Sequence, residues 1–490
     1  TYRQCVHIET PQGTLSERLH LFGQDKVERM VRLASVNLRI LTQADAIVRL
    51  GNSILPPATL DDIAGQIDLI LTNPPFGATF DSSQLLKASG PQHYPVLFDL
   101  ASDGKLPANL DSEYLLLDRE IALLRAGGRL MMVVPDHVVS AGGFSEWFRL
   151  GLLRHAELIA VFDLPTETFA QAGTRTKTSV VYLRRKDARV KRKKAEHVFM
   201  ATSEDLGFRV SSRAGATVKK ITGRSDFEDI VQAYKTFAKG HYDSRAIVCL
   251  KRHPSAAAVP TSNLLNNRWT AGFYKTERLG ALQQIEQLEG EGFASQPLPK
   301  LVIIDPNGSE RVLADEQNRC VSVLHVKENG CIDLQMVDAY RPTTACIRCF
   351  PGDVLLSKIN PRIVRITVVP ETRWQLGCSA EFAVLRCRSK DLSPWELALL
   401  LRSESVQAQV RSLTSGTSSS HNRIKDRDLR SIVVSVPTAR TKAARRLKSL
   451  ATQYREAVEK QYESQGSIIG CFEELKGLME GVSRSDRQND

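Results

Sequence analysis

The sequence predicts an α/β fold built on a parallel sheet, followed by an α+β region that ends in a long helix. Three observations predict it. Residues 67–72 form a short, nearly unbroken apolar run stopped by Pro74 and Pro75, the pattern of a strand buried on both faces of a parallel sheet. From residue 113 to 183, amphipathic helix and apolar strand alternate, which calls for crossovers between parallel strands. From residue 438 to 461, Ala443, Leu447, Leu450, Tyr454 and Ala457 recur four and three apart, a narrow stripe of the coiled-coil kind that serves either a partner helix or the helix's own domain.

Length and composition bound the reading. A chain of 490 residues can hold two or three domains, each with its own core. Apolar content of 42% and charged content of 25% exclude the disordered and fibrous classes. No apolar stretch approaches the roughly 18 residues that span a bilayer and no signal peptide is visible, so a cytoplasmic chain is expected. Because the chain opens on Thr1, it reads as a fragment, a processed chain or an incomplete product. The nine cysteines, scattered from Cys5 to Cys471, predict free structural thiols rather than a disulfide framework. Cys346 and Cys349 form one CxxC without a second pair at zinc-finger spacing, and no metal is expected. A net charge of +11 and a pI near 9.2 fit a polyanionic partner without establishing one.

In chain order, residues 19–22 read as a strand and residues 26–41 as a helix carrying Val27, Met30, Val31, Ala34 and Leu38 on one face. Asp25 stands between them. An acidic residue just past a strand end is where doubly wound folds hold a ribose hydroxyl, and it is equally a helix cap. Residues 46–50 form the next strand, turned by Gly51-Asn52-Ser53-Ile54.

Asn73-Pro74-Pro75-Phe76 follows the strand 67–72, where ligand sites of such sheets lie. Two prolines fix φ and remove two backbone donors, which leaves the carbonyls of Asn73 and Pro74 rigid and without internal partners. The Asn73 amide oxygen and the Pro74 carbonyl suit an amino group that gives up both hydrogens to acceptors. Such a group is drawn toward tetrahedral geometry, and its lone pair is freed to attack an electrophile. Phe76 adds an apolar face on which a planar base can stack. The bland alternative is a proline-stiffened turn.

Residues 113–125 read as a helix, 126–128 as a turn, and 129–134 as a strand stopped by Pro135-Asp136. Strands at 157–163 and 178–183 follow, joined through Leu164-Pro165 and Ala172-Gly173-Thr174. The basic run 184–194 is a solvated linker or a segment touching phosphates. After a weak strand at 197–200 and a helix at 227–239, Pro254, the alanines 256–258 and Pro260 look like a boundary.

Asn-Pro-Pro-Phe resembles the catalytic motif of amino-methylating DNA methyltransferases. The ordered series Gly-Gln-Asp, Gly-Asn-Ser, Asn-Pro-Pro-Phe, Gly-Gly-Arg…Val-Pro-Asp and Phe-Asp-Leu-Pro…Lys-Thr-Ser, covering residues 21–185, resembles the modification subunits of type I restriction systems. The resemblance implies a Rossmann-like methyltransferase sheet and S-adenosylmethionine as cofactor. It implies Asn73, Pro74, Pro75 and Phe76 as the catalytic set, Asp25 on the cofactor ribose, and Asn52 and Ile54 beside its adenine ring. There is one departure. The family opens this domain with a strand and a glycine-rich loop, whereas the first twenty residues hold only Gly13, so the sheet as given lacks a central strand and the cofactor site one wall.

The second half opens at Asn266-Asn267-Arg268-Trp269. It continues through helix 279–288, a Gly352-Asp353 turn into a strand, the segment 379–385, helix 394–413, the turn 415–420 and strand 432–437. Together these elements resemble a target-recognition domain of a type I specificity subunit. The resulting domains are 1–195 catalytic, 196–262 its completion and connector, 263–437 target recognition, and 438–490 a long spacer helix and tail. Arg341, Lys358, Arg362, Arg423 and Lys425 are candidate DNA contacts. The implied function is methylation of a flipped adenine in double-stranded DNA, with a restriction subunit or a second copy as a further partner. The alternative is a DNA-binding specificity protein that no longer binds cofactor.

Overall fold

The computed structural model describes residues 9–10, 13–14, 20–42, 45–55, 60–172, 176–187, 197–213, 216–223, 225–240, 248–249, 255–264, 268–308, 310–360, 363–414 and 423–485. Gly173, Thr174, most of the basic run 184–194, Pro254, Asn266, Asn267, Arg362 and the turn 415–420 lie outside them. The chain forms two compact units, Thr1–Thr276 and Glu277–Asp490.

After a short antiparallel pair, Glu9–Thr10 with Gly13–Thr14, unit 1 runs through β1 (His20–Asp25), α1 (Glu28–Thr42) and β2 (Asp45–Leu50), a β-α-β crossover in which β1 and β2 pair in parallel. It continues through β3 (Ile67–Thr72), α2 (Pro95–Ser102), α3 (Ser112–Leu123), β4 (Leu124–Pro135), α4 (Phe144–His155), β5 (Ala156–Leu164), β6 (Thr178–Arg185), β7 (His197–Thr202), α5 (Phe227–Ala238), β8 (Val248–Cys249) and β9 (Ala256–Pro260). Seven of these strands form one sheet in the order β8-β9-β7-β5-β6-β4-β3.

That sheet is mixed rather than all parallel. β3 with β4 and β5 with β7 are parallel, but β6 runs antiparallel to both β4 and β5. The reason lies in the connection: between β5 and β6 the described chain holds only a short 3₁₀ segment, Thr166–Ala172, and no α-helical crossover. The expected turn at 126–128 is a bulge inside β4, where pairing jumps from Ile67↔Leu124 to Leu69↔Arg129. Gly128 is required there, because a Cβ would stand 2.8 Å from the Ile67 carbonyl oxygen and 2.9 Å from that of Arg125.

The alanines 256–258 are not a boundary. They form β9, fully buried and antiparallel to β7, and they are small because Ile230 and Phe237 of α5 pack over them. At the other edge β3 ends the sheet, and Leu69 and Leu71 stay exposed. The β1–β2 pair forms a separate two-stranded sheet. α3 is enclosed on every side: all twelve of its residues are buried.

Unit 2 contains α6 (Thr276–Leu288), β10 (Phe293–Pro297), β11 (Val302–Ile304), β12 (Arg311–Val312), β13 (Asn318–Val321), α7 (Leu334–Ala339), β14 (Cys346–Arg348), β15 (Val354–Ser357), β16 (Ile366–Val368), β17 (Gln375–Cys378) and β18 (Phe382–Cys387). Then come α8 (Pro394–Leu401), α9 (Glu404–Leu413), β19 (Val433–Pro437) and α10 (Lys442–Ser485). Two four-stranded sheets, β11-β18-β15-β16 and β12-β14-β17-β13, enclose a core that includes Ile332, Leu355, Phe382 and Val384. The helix read at 394–413 is two helices. Ser403 is extended between them, and the Gln407 side chain donates to the Leu401 carbonyl at 2.7 Å.

Two expectations change here. Cys320 and Cys346 are disulfide-bonded rather than free, because β13 and β14 both pair with β17 and bring the two Cα atoms to 6.2 Å. On α10 the packed stripe is shifted. Ala451 and Val458 are buried, Tyr454 donates to the Asn329 carbonyl at 2.9 Å, and the Tyr462 hydroxyl accepts from the Ile332 amide at 3.1 Å. Leu450 and Ala457 face solvent. The four-three spacing persists, but the helix packs on its own unit through polar-tipped residues that an apolar pattern does not weigh. Among the described residues no helix is long and apolar enough to cross a membrane.

Candidate functional site

Asn73, Pro74, Pro75 and Phe76 leave the carboxyl end of β3 in irregular backbone. Pro74 is buried, Asn73 and Pro75 are exposed, and Phe76 is half-buried, so the loop is pinned at one residue and presents its neighbours. The Pro75 carbonyl accepts from Ser112 Oγ at 3.4 Å, and the Gly77 amide donates to Glu113 Oε2 at 3.2 Å. Ser112 N–H donates to the Ala78 carbonyl at 2.7 Å.

Electrostatics at this loop come from α3. Burial pulls the Glu113 carboxyl up, but hydrogen bonds from His137, the Gly77 amide and Ser112 outweigh it and hold the group below the ordinary carboxylate range. Two turns on, burial pushes Glu120 up to about 8 against a hydrogen bond from Thr72, the residue before Asn73. Burial likewise pushes Asp118 up to about 8, although it accepts from the amides of Val96 and Leu97 at 3.0 and 2.9 Å and so caps α2. Asp111, Glu113 and His137 offer ligand atoms within 4.8 Å of one another, a set of metal-binding type that sequence spacing did not suggest.

The candidate cofactor residues divide. Asp25 and Asn52 lie at the adjacent carboxyl ends of β1 and β2, tied by Gly51 N–H to the Asp25 carbonyl at 3.0 Å. Asp25 Oδ1 accepts from the Val27 amide at 2.8 Å, a turn just ahead of α1 rather than a bond to the helix's own first turn. Asn52 Oδ1 accepts from the amides of Ile54 and Leu55 at 2.9 and 3.2 Å, which commits its oxygen to the turn and leaves its NH2 as the donor. Ile54 is buried, and its carbonyl accepts from the Tyr94 hydroxyl, so it belongs to the packing between this turn and α2.

In unit 2, three of the candidate DNA contacts come together. Ile359 and Arg423 form a bridge, Ile424 N–H donates to the Lys358 carbonyl at 2.9 Å, and Lys425 is next along the chain. Lys358 pairs with Asp426 at 2.9 Å and Arg423 with Glu381. Arg341 is apart from them, beside Asp338 at the end of α7. Sequence reasoning missed Ser112, Glu113, Glu120 and His137; the one available signal was two acidic residues at apolar positions of a helix that otherwise reads as core.

A further buried carboxylate organises the end of unit 1. Asp163, at the end of β5, accepts from Ser179 Oγ at 2.7 Å, from the Gly272 amide at 2.8 Å and from the Ala271 amide at 3.2 Å, with Lys177 at 3.4 Å.

The N-6 DNA methylase family model matches residues 5–250, about half of the chain. Solved structures with partial likeness include a chain from a type I restriction–modification complex, at 20% identity and TM-score 0.38, covering 55% of this chain and 50% of that one. Another is the methyltransferase subunit of a type I restriction–modification system from Streptococcus thermophilus, at 20% identity and TM-score 0.37, covering 51% and 47%. The type IIG restriction endonuclease BpuSI is similar over 89% of this chain and 54% of its own, at 12% identity and TM-score 0.40. The chain thus spans about half the length of these proteins.

Proposed function

The chain belongs to the N-6 DNA methylase family, and on that premise we propose that it methylates the exocyclic amino group of adenine in double-stranded DNA, within a restriction–modification or related defence system. The observation that carries this reading is Asn73-Pro74-Pro75-Phe76 leaving a sheet strand at its carboxyl end, inside the residues that the family covers.

The Asn73 amide oxygen and the Pro74 carbonyl accept hydrogen bonds from the two N–H groups of the target amine, Phe76 stacks on its ring, and the surplus proton of the methylated amine leaves to solvent. Because a paired, stacked adenine cannot present that group, the base is extruded from the duplex before reaction. These residues act by positioning and by polar complementarity to the reacting amine. Bound S-adenosylmethionine supplies the electrophilic methyl group. The Asp25 carboxylate suits a ribose hydroxyl, the Asn52 NH2 a ring nitrogen and the buried Ile54 an apolar wall, so the residues present fit the nucleoside half of that cofactor. Unit 2 reads the target sequence, with Lys358, Arg423 and Lys425 on phosphates, and Leu450 and Ala457 of α10 offer a strip to a restriction subunit or a second copy.

The test is methyl transfer to duplex DNA followed by nucleoside mass spectrometry. N6-methyladenine is the expected product, and Asn73→Ala reduces it at least about a thousandfold while duplex affinity stays within a few fold. Full methylation by Asn73→Ala would overturn the mechanism. The exposed edge at Leu69 and Leu71 favours a second reading, a recognition protein without cofactor binding. Calorimetry separates the two: saturable binding of S-adenosylmethionine supports the enzyme, and duplex binding without it supports the recognition protein.

A further inference from the structure

The segment from Asn73 to Phe76 has little means of fixing itself. Pro74 and Pro75 contribute no backbone donors, and hydrogen bonds internal to so short a loop cannot set the direction of its carbonyls. Apart from the pairing of β3 with β4 before it and of Thr79–Asp81 with Asn109–Asp111 after it, the described bonds on its flanks come from a single helix. Before Asn73, the Thr72 side chain stands beside the Glu120 carboxyl and lowers its pKa against burial. After it, Pro75 is bonded by Ser112 Oγ, Gly77 by Glu113 Oε2, and Ala78 by the Ser112 amide. Thus α3 grips the strand on one side of the Asn73–Phe76 segment and the loop on the other.

The grip is itself braced. Ser112 Oγ and Glu113 Oε2 are 3.1 Å apart, and His137, from the helical turn that follows β4, stands 3.3 Å from Glu113 Oε1. Glu113 is 2% exposed, so its bond to Gly77 faces little competition from water. The helix cannot shift without disturbing the centre of unit 1, since each of its twelve residues is buried.

We propose that Glu113, with Ser112 and Glu120, is a positioning residue for the Asn73–Phe76 segment, and that α3 is the rigid part against which the acceptors for the target amine are aimed. This rests on the methyltransferase reading of that segment. Glu113 touches no reacting atom in this scheme and acts through the backbone of Gly77.

Two measurements on the full 490-residue chain test it. In hydrogen–deuterium exchange, Glu113→Ala speeds exchange in peptides covering residues 73–81 by about tenfold and leaves peptides from α4 and from unit 2 unchanged. Glu113→Gln, which keeps an acceptor oxygen for Gly77, stays within about threefold of the native chain. Unchanged exchange at 73–81 in Glu113→Ala would overturn the proposal, and so would a loss of protection spread over the whole unit in both variants. In the methylation assay, Glu113→Ala lowers kcat by about a hundredfold with KM for DNA and cofactor within about threefold, and Glu113→Gln restores most of it. A raised KM at unchanged kcat would contradict positioning. If Asn73→Ala stayed fully active, the methyltransferase reading would fail instead, and the exchange result would still decide whether α3 holds the loop.

Discussion

α1 and α3 are both helices of unit 1, and they end in opposite surroundings. α3 buries every residue, four charged ones among them, whereas α1 packs on β1 and β2 and leaves Met30, Leu33, Val36 and Ile40 exposed, the last at 72%. A periodic pattern therefore specifies that a helix forms, and tertiary neighbours decide what it buries. α3 has those neighbours. Its charged groups are tolerated because each meets a fixed partner: Asp118 meets the amides that start α2, Arg119 meets Asp61, Glu113 meets Gly77 and Glu120 meets Thr72.

The sharpest way to break this contrast is to truncate the buried helix. Leu117→Ala in α3 should cost about 2–5 kcal/mol in chemical denaturation. A value under about 1 kcal/mol would mean that the enclosure of α3 is looser than it looks. Next in size is Gly128→Ala in β4, at about 1–3 kcal/mol, since the bulge leaves no room for a methyl group beside the Ile67 carbonyl. An intact melting temperature would show that the bulge relaxes at little cost.

Glu120→Gln probes the same enclosure through pH. The Glu120 carboxyl is raised to about 8, so the folded chain keeps a proton that the unfolded chain releases near 4.5. Its contribution is full below that lower value and is lost as pH rises through about 8. The variant should therefore melt a few degrees above the native chain at pH 8 and closer to it at pH 5. A constant difference would refute the burial of that carboxyl. Smallest of all, Leu33→Ser or Ile40→Ser in α1 should change stability by less than about 0.5 kcal/mol. A large loss there would reveal a covering partner for α1.

Much of unit 1 was legible because its signals are local. The apolar runs of β3 to β6, the amphipathic spacing of α3 and α4, and Pro74-Pro75 as a strand stop all follow from residue type and period. The direction of β6 was not legible, because it depends on how much chain links it to β5 and on what that chain folds into. The alanines of β9 were misread because small residues look like a linker until the aromatic rings of α5 are placed above them. The Cys320–Cys346 bond and the shifted stripe of α10 share one cause: both are set by partners distant in sequence. At the site, the exposed loop residues announced themselves, while Glu113 and Glu120 were hidden inside a helix that reads as core. Asn52 shows the converse, a polar residue whose oxygen is spent on its own turn.

Asp163 bears on the order in which unit 1 is finished. Its bonds to Ala271 and Gly272 join residues more than a hundred positions apart, and β9 adds its rung to β7 only shortly before them in the chain. During synthesis, a ribosome that has released residue 250 has delivered every residue of the family match, yet the carboxylate at the end of β5 still lacks those two backbone donors. A fragment cut at that point would carry the motif, leave Asp163 with Ser179 and Lys177 but without its two backbone donors, and expose a bare strand edge, inviting aggregation. The expressible piece is set by where Asp163 closes, at Gly272, rather than by where similarity to relatives stops.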